Sequence, residues 1–231
     1  MIWQVHPMVS LHAHAALRSR FPTLKELYSE NLGLNLPNPD LAPERSLNLE
    51  LGLDYRPFRP ADLTMALFYS NVHGLIQNVF LTPSERQLQN LGKALLAGLE
   101  FSGRATLEYH TFEAGYTLLV AENRTEGASS SRIEHRPRHV VSLAVDRRLP
   151  AHAALRVEAQ FISSRWSVDL DNGSWEELEG YWTLNLRAGI HLLKELEVFG
   201  RFDNVTDTYY ESEYGYPQPG RTFALGFQGS L

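Results

Sequence analysis

The segment SLNLELGLDY, residues 46–55, alternates strictly, with Leu or Tyr at every odd position and a polar residue or Gly at every even one. Side chains two residues apart share one face of a β-strand, whereas an α-helix would scatter these residues around its circumference. The segment therefore predicts a strand with one apolar face and one polar face.

The same two-residue period recurs along most of the chain. Segment 105–121 changes phase near Thr111, which a β-bulge would explain. Only Thr23–Tyr28 indicates a turn of helix. The predicted strands are residues 8–20, 46–55, 61–73, 93–103, 105–121, 139–148, 153–161, 182–190, 196–202 and 222–231.

The connections between these strands are alternately short and long. Successive strands run in opposite directions, so all short turns fall at one end of the sheet and all long loops at the other. Outer-membrane barrels have this layout, with short periplasmic turns and long extracellular loops. The chain ends on the short-turn side, so we expect a periplasmic C-terminus. Short connections are predicted at Arg56–Asp62, Ser102–Ala105, Arg147–Ala151 and Leu192–Glu195, and long ones at Phe21–Pro43, Leu75–Gly92, Glu122–Arg138, Ser164–Glu179 and Thr206–Gly220.

Alternation alone also fits a soluble sandwich, whose apolar face packs on a second sheet. Three features favour a membrane barrel instead: strands close to the about 9–11 residues that cross a bilayer at a tilt, Tyr and Trp near strand ends, and a strongly charged polar face. We predict an all-β, antiparallel transmembrane β-barrel with meander topology, open or partial in this chain. The residues predicted to line its lumen are Glu50, Asp54, Glu100, Arg156, Glu158, Arg187, Arg201 and Asp203.

The composition excludes several other classes of protein. No run approaches the roughly 18 apolar residues of a membrane helix. Cys is absent, which excludes disulfides and thiolate metal sites. The net charge of -6 without a basic stripe argues against nucleic-acid binding. His12 and His14 would share a strand face, but no third metal ligand is identifiable, and Asp169–Glu176 fits a solvated acidic loop. We therefore predict no metal, cofactor or catalytic site.

Six short motifs occur in a fixed order along the chain. They are FPTLKELY at 21–28, NPDLAPE at 38–44, NLGKA at 90–94, RPRH at 136–139, DNVTDTYY at 203–210 and GYPQPGR at 215–221. Together they resemble TonB-dependent outer-membrane receptors, and residues 210–216 are most similar to the vitamin B12 (cobalamin) receptor branch. The chain departs from the family in the order of residues around Phe21 and in ending on Leu231 where the family has an aromatic residue.

The resemblance implies a receptor with a TonB box, a plug domain and a barrel of 22 strands. Residues 1–231 would be the C-terminal portion of that barrel, without the plug and the N-terminal strands, in the outer membrane of a Gram-negative bacterium. The full-length receptor would import a scarce nutrient such as an iron–siderophore, haem or cobalamin, energised through TonB. The barrel-assembly machinery would read its C-terminal strand. We expect the isolated chain to show no TonB-driven uptake and to oligomerise through its two bare sheet edges.

The long loops would supply part of the ligand surface. A second hypothesis is a complete ten-stranded barrel acting as a rim protease or small pore, which requires residues 8–20 to pair with Thr222–Leu231. The absence of Gly-x-Ser-x-Gly and His-Glu-x-x-His motifs argues against an enzyme, although Asp169, Asp171, His135 and His139 would be rim candidates. The candidate ligand residues are Tyr28, Asn38, Arg86, Arg136, Trp175, Tyr210 and Tyr214.

Overall fold

The structure, a computed structural model, describes residues 1–30, 35–82, 85–90, 92–128, 130–169, 171–193 and 195–229. The prediction for Leu231 lies outside these residues. Within them the chain forms one short helix, α1 (Leu24–Tyr28), and a series of strands. The strands are β1 (Ile2–His6), β2 (Val9–Arg20), β3 (Asn35–Leu36), β4 (Glu44–Tyr55), β5 (Ala61–His73), β6 (Ile76–Phe80), β7 (Arg86–Asn90), β8 (Lys93–Leu107), β9 (His110–Asn123), β10 (His139–Leu149), β11 (Ala153–Ile162), β12 (Arg165–Val168), β13 (Trp175–Leu178), β14 (Tyr181–Leu193), β15 (Leu196–Asp203), β16 (Glu211–Glu213), β17 (Tyr216–Pro217) and β18 (Thr222–Gly229).

One large antiparallel sheet dominates the fold. It has 11 strands in the order β1-β2-β4-β5-β8-β9-β10-β11-β14-β15-β18, so each strand pairs with the next long strand along the chain. This confirms the predicted all-β meander, and ten of the strands coincide with predicted ones. The eleventh, β1, is not predicted from the sequence, because five residues are too few to establish a period.

The turn between β8 and β9 differs from the prediction. The two strands stay in register without a break from the Ala94–Asn123 pair to the Leu107–His110 pair, so the chain turns at Glu108–Tyr109. The predicted connection at Ser102–Ala105 and the predicted bulge near Thr111 are therefore both wrong. The change of phase in the sequence is the hairpin turn itself, because the pattern of faces starts again after the chain reverses.

The apolar face of the sheet is exposed. Cross-strand pairing joins Leu51 to Leu67, Leu67 to Leu99 and Leu99 to Leu118 in one continuous row. The side chains of Leu51 and Leu67 are 55% and 51% exposed. Among the described residues no second sheet or helix covers this row. A soluble sandwich would bury these side chains, whereas a membrane barrel turns them to lipid.

The long connections carry their own small elements of structure. Three short sheets form there, β3-β7-β6, β12-β13 and β16-β17. The predicted helical turn is confirmed as α1, which begins with a capping box in which Thr23 and Glu26 each accept a hydrogen bond from the other's backbone N–H. No helix in the described ranges is long and apolar enough to span a membrane.

The sheet does not close on itself within the described residues. β2 pairs with β1 on one side and with β4 on the other, which leaves it no free edge for β18. The pairing that a complete ten-stranded barrel requires is therefore not formed. With 11 strands, β1 and β18 run in the same direction, so joining them would need a parallel pair that even-numbered bacterial barrels avoid.

A glycine lets the end of an aromatic ring lie over the polar face at the β15–β18 pair. Phe199 and Gly226 are cross-strand partners, and a Cβ on Gly226 would lie 2.6 Å from the Phe199 ring. Arg187 covers the same ring with its guanidinium carbon 4.4 Å from the ring centroid. Packing an aromatic ring over a cross-strand glycine is a known means of fixing strand register.

We expect Gly226→Ala to lower the free energy of unfolding by about 1 kcal/mol, because the new methyl group displaces the Phe199 ring. Urea titration of the chain folded in lipid vesicles measures this change. The matched control is Gly200→Ala, whose Cβ would meet Leu225 at an ordinary contact distance of 3.5 Å. Equal effects of the two substitutions would show that the ring is not held in this position.

Candidate functional site

The eight charged residues predicted to line a lumen all lie on the polar face of the large sheet. The most connected is Arg156, which bonds Glu113 at 3.0 Å and Glu158 at 2.7 Å and also contacts Asp146. Arg104 lies 3.4 Å from the same Glu113. One cation therefore holds together carboxylates from three neighbouring strands, β9, β10 and β11. Arg104, Glu113, Arg156 and Glu158 line a groove of about 520 Å³ together with several Gly, Ala and Ser residues.

The other predicted lumen residues form smaller groups. Arg187 is bonded to Glu197 at 2.9 Å, and Arg201 is bonded to Asp203. His12 lies 3.5 Å from Glu50 and 3.4 Å from Asp54. Glu100 lies between Ala66 and Thr117 on the same face. Five of the eight predicted lumen residues, Arg156, Glu158, Arg187, Arg201 and Asp203, are therefore in ion pairs with residues of the same sheet.

The first two long loops are tied to each other and to the sheet. Asn38 donates through its side-chain amide to the Leu88 carbonyl at 2.8 Å, and Arg86 donates to Asn35 Oδ1 at 2.6 Å. Both residues are ligand candidates from the sequence, and in the structure both hold one loop against another.

Helix α1 is fixed to the ends of two sheet strands. Arg20 bridges Glu26 at 3.0 Å and Glu44 at 2.6 Å, and Glu44 also accepts the Ile76 N–H at 2.8 Å. Burial raises the pKa of Glu26, but hydrogen bonds from the Thr23 backbone and from Arg20 more than offset it, so the pKa lies below its ordinary value. The ionised Glu26 carboxylate thus anchors the first long loop to Arg20.

An aromatic cluster lies where the loops after β11 and β15 meet. Tyr181 and Tyr210 are stacked with ring centroids 4.2 Å apart, and Arg165 lies 5.6 Å from the Tyr181 centroid. Arg165 is only 7% exposed and donates to the Glu211 carbonyl. The Tyr214 N–H donates to Ser167 Oγ at 3.2 Å. Of the ligand candidates, Tyr210 therefore packs on β14 through Tyr181, and the Tyr214 backbone is held by Ser167 of β12.

The remaining ligand candidates are placed separately. Tyr28 is 59% exposed at the end of α1, Arg136 is exposed, and Trp175 is half-buried in β13. No hydrogen bond or ring contact within the described residues joins these three to the Tyr210 cluster. Sequence reasoning misses Arg165 and Ser167, since their burial depends on a segment more than 40 residues later in the chain.

Metal-ligating side chains do not converge in the described part of the chain, where no group of three or more His, Cys, Asp or Glu could hold an ion. The His12 and His14 rings lie 5.6 Å apart. In the acidic loop, Asp169 accepts from the Asp171 N–H and the Asn172 side chain, each at 2.8 Å. Those bonds stabilise a local turn.

Comparison with known proteins places this architecture in a family. The family model described as "TonB dependent receptor-like, beta-barrel" matches residues 1–205. The ferric-catecholate import receptor Fiu from E. coli K12 in its closed form superposes with a TM-score of 0.75 at 20% identity, covering 99% of this chain and 34% of that one. A mutant of the ferric enterobactin receptor PfeA from Pseudomonas aeruginosa gives a TM-score of 0.78 at 20% identity, covering 100% of this chain and 39% of that one.

The copper transporter OprC gives a TM-score of 0.81 at 17% identity, over 98% of this chain and 37% of that one. At these identities the likeness shows the fold alone. The chain spans 34% to 39% of the length of these three structures.

Proposed function

The chain belongs to the TonB-dependent receptor-like β-barrel family, and from that membership we propose that it forms part of the barrel wall and of the outer ligand-binding loops of a nutrient import receptor. The family's receptors are transporters of the Gram-negative outer membrane and not enzymes. Residues 1–231 would supply the C-terminal portion of the barrel, with the short turns and the C-terminus in the periplasm. The assembly machinery would act on the C-terminal strand.

The observation that carries the proposal is the division of the molecule between wall and loops. One face of the large sheet is an exposed apolar surface, and the other is a wall of paired charges around Arg156. At one end of the sheet several long connections fold into small sheets, and hydrogen bonds join the loop at Asn38 to β7 and the loop at Tyr214 to β12. Such an arrangement serves a protein that spans a bilayer, encloses a polar interior and presents an ordered surface to the outside.

An anionic iron chelate with aromatic groups is the ligand that we propose first. Tyr210, stacked on Tyr181, offers an aromatic ring beside Arg165, and the exposed Arg136 adds positive charge in the loop after β9, at the same end of the sheet. Arg and aromatic side chains together recognise flat anionic groups by ion pairing and stacking. The names of two structural relatives, a ferric-catecholate receptor and a ferric enterobactin receptor, support the same class.

Cobalamin is the alternative ligand, favoured by the resemblance of residues 210–216 to that branch of the family. Haem is a third candidate ligand. Energy for import would come from TonB acting on a plug domain in the full-length receptor, as the family membership implies. The loops that we assign to ligand contact would be the same in each case.

A binding titration tests the proposal. The chain is folded into lipid vesicles, and Trp fluorescence is followed as ferric enterobactin or cyanocobalamin is added. We expect saturable quenching by the ferric chelate. Tyr210→Ala and Arg136→Gln should each weaken binding about tenfold, a loss of about 1.4 kcal/mol.

The control is Arg56→Gln. Arg56 lies at the short-turn end of the sheet and forms an ion pair only with Asp62 among the described residues. It should bind as the unaltered chain does. Saturable binding of cyanocobalamin without binding of ferric enterobactin would leave the proposed transport function in place and make cobalamin the proposed ligand. Absence of saturable binding by either probe, in a chain that has inserted into the vesicles, would refute the assignment of these loops to ligand contact.

A further inference from the structure

Two neighbouring turns at the short-turn end of the sheet enclose an open groove. The turn between β10 and β11 and the end of β14 are joined by a hydrogen bond from the His191 N–H to the His152 carbonyl, at 3.1 Å. The groove between them has a volume of about 840 Å³. The ligand-contact loops lie at the other end of the strands, so the proposed transport function does not use this groove.

Basic side chains lie along the groove, and none of them forms a salt bridge within the described residues. Arg148, His152 and His191 all line it. Asp146, two residues before Arg148, is bonded to Arg156, and Glu197, the cross-strand partner of His191, is bonded to Arg187. No Asp or Glu lines the groove in the described structure, although the chain as a whole carries a net charge of -6. The groove is a local exception to that charge balance.

Exposed leucines lie beside these basic groups. Leu149 is 37% exposed, Leu192 is 60% exposed and Leu193 is 62% exposed, and all three line the same groove. Leu193 pairs with Leu196 after a bulge that follows His191. At this bulge Leu192 and Leu193 both lie opposite Leu196, whereas in a regular strand the two side chains would point to opposite faces.

From these observations we propose that the groove binds an anionic phospholipid, with the lipid phosphate at Arg148, His152 and His191 and an acyl chain along Leu149, Leu192 and Leu193. Arg148 and His191 lie on the polar face and Leu149 on the apolar face, and the groove at the strand ends is lined from both faces. A ligand that joins a phosphate to a hydrocarbon chain satisfies both surfaces, while a soluble anion would leave the leucines in water. The strand ends are also where a membrane-spanning sheet meets the lipid headgroups. The inference rests on the proposed membrane setting, and it is independent of the identity of the transported ligand.

Lipid selectivity tests the inference. The chain is folded into phosphatidylcholine vesicles, and electron spin resonance measures the immobilised fraction of spin-labelled phosphatidylglycerol and of spin-labelled phosphatidylcholine. We expect phosphatidylglycerol to be preferred about fivefold, since one basic side chain near a lipid surface contributes about 1 kcal/mol. Arg148→Gln should remove most of that preference. Adding inorganic phosphate should not compete, because it lacks the acyl chain.

Arg124→Gln is the matched control, because Arg124 is an exposed arginine in a long loop, paired with Glu122. It should keep the preference for phosphatidylglycerol. An inserted chain without that preference, an equal loss in both variants, or full competition by inorganic phosphate would overturn the lipid site. If the chain does not insert at all, as judged by far-UV circular dichroism and protease protection, the proposed membrane setting fails first. Ferric-chelate binding that survives in Arg148→Gln separates the two proposals further.

Discussion

Leu67→Arg should lower the free energy of unfolding in a bilayer by about 2–4 kcal/mol, the cost of an arginine at the lipid-facing midplane of a barrel. Leu67 is the central residue of β5, its side chain is 51% exposed, and its cross-strand partners are Leu51 and Leu99. In a membrane the guanidinium would have to enter hydrocarbon or distort the bilayer to reach water. Urea titration of the chain in vesicles, followed by Trp fluorescence, measures the loss.

The neighbouring substitution Ala66→Arg is the control. Ala66 lies on the opposite face, between Gly52 and Glu100, so a new arginine there enters the polar side of the sheet. We expect its effect to be below about 1 kcal/mol, as for other exposed polar substitutions. If both variants lose the same stability, or if Leu67→Arg is neutral, the apolar face does not meet lipid.

Arg156→Met should destabilise the chain by about 2 kcal/mol. Met keeps much of the length of the side chain but removes the charge that Glu113, Asp146 and Glu158 share. The expected size lies between that of exposed ion pairs, at about 0–1 kcal/mol, and that of a buried pair with one partner removed, at about 3–5 kcal/mol. The intermediate value follows from the exposure of the group, since Arg156 is 31% exposed and Glu158 is 45% exposed.

Two further variants isolate the cause. Arg201→Met removes an arginine that is 56% exposed and bonded to a single acid, Asp203, so it should cost well under half as much. The double variant Arg156→Met/Glu158→Gln should recover part of the loss, because Glu158 pairs only with Arg156 among the described residues and is left uncompensated in the single variant. If the losses of unfolding free energy of the two single variants simply add in the double variant, the carboxylates do not repel one another across the polar face.

The main sheet could be predicted because alternation is a local property. Residues 46–55 predict both the strand and its two faces, and the structure places those residues in β4 with the leucines on the exposed side. The turn at Glu108–Tyr109 could not be predicted correctly, because a tight hairpin between two long strands changes the phase of the pattern as a bulge would. The unbroken pairing of the two strands as far as Leu107 and His110 distinguishes the hairpin from a bulge.

The candidate sites were less predictable than the strands. Asn38 and Arg86 have the chemistry of ligand residues, but their side chains hold two loops together. Arg165 was not identified, although it is the arginine on which the Tyr210 cluster depends. Its carbonyl acceptor at Glu211 lies 46 residues away in the sequence. No local pattern encodes a contact between segments that far apart.

The amino-acid sequence by itself determined the class of fold, the order of the long strands and which face of each is apolar. The faces depend on residues two apart along the chain, and the order follows from the short and long connections between successive strands. The tertiary structure decided which charges meet across the wall, which loop residues are structural and where basic and apolar groups share a groove. Those features depend on strand register and on loops that pack from distant parts of the chain. A shift of one residue in register would keep every local pattern and change every such contact.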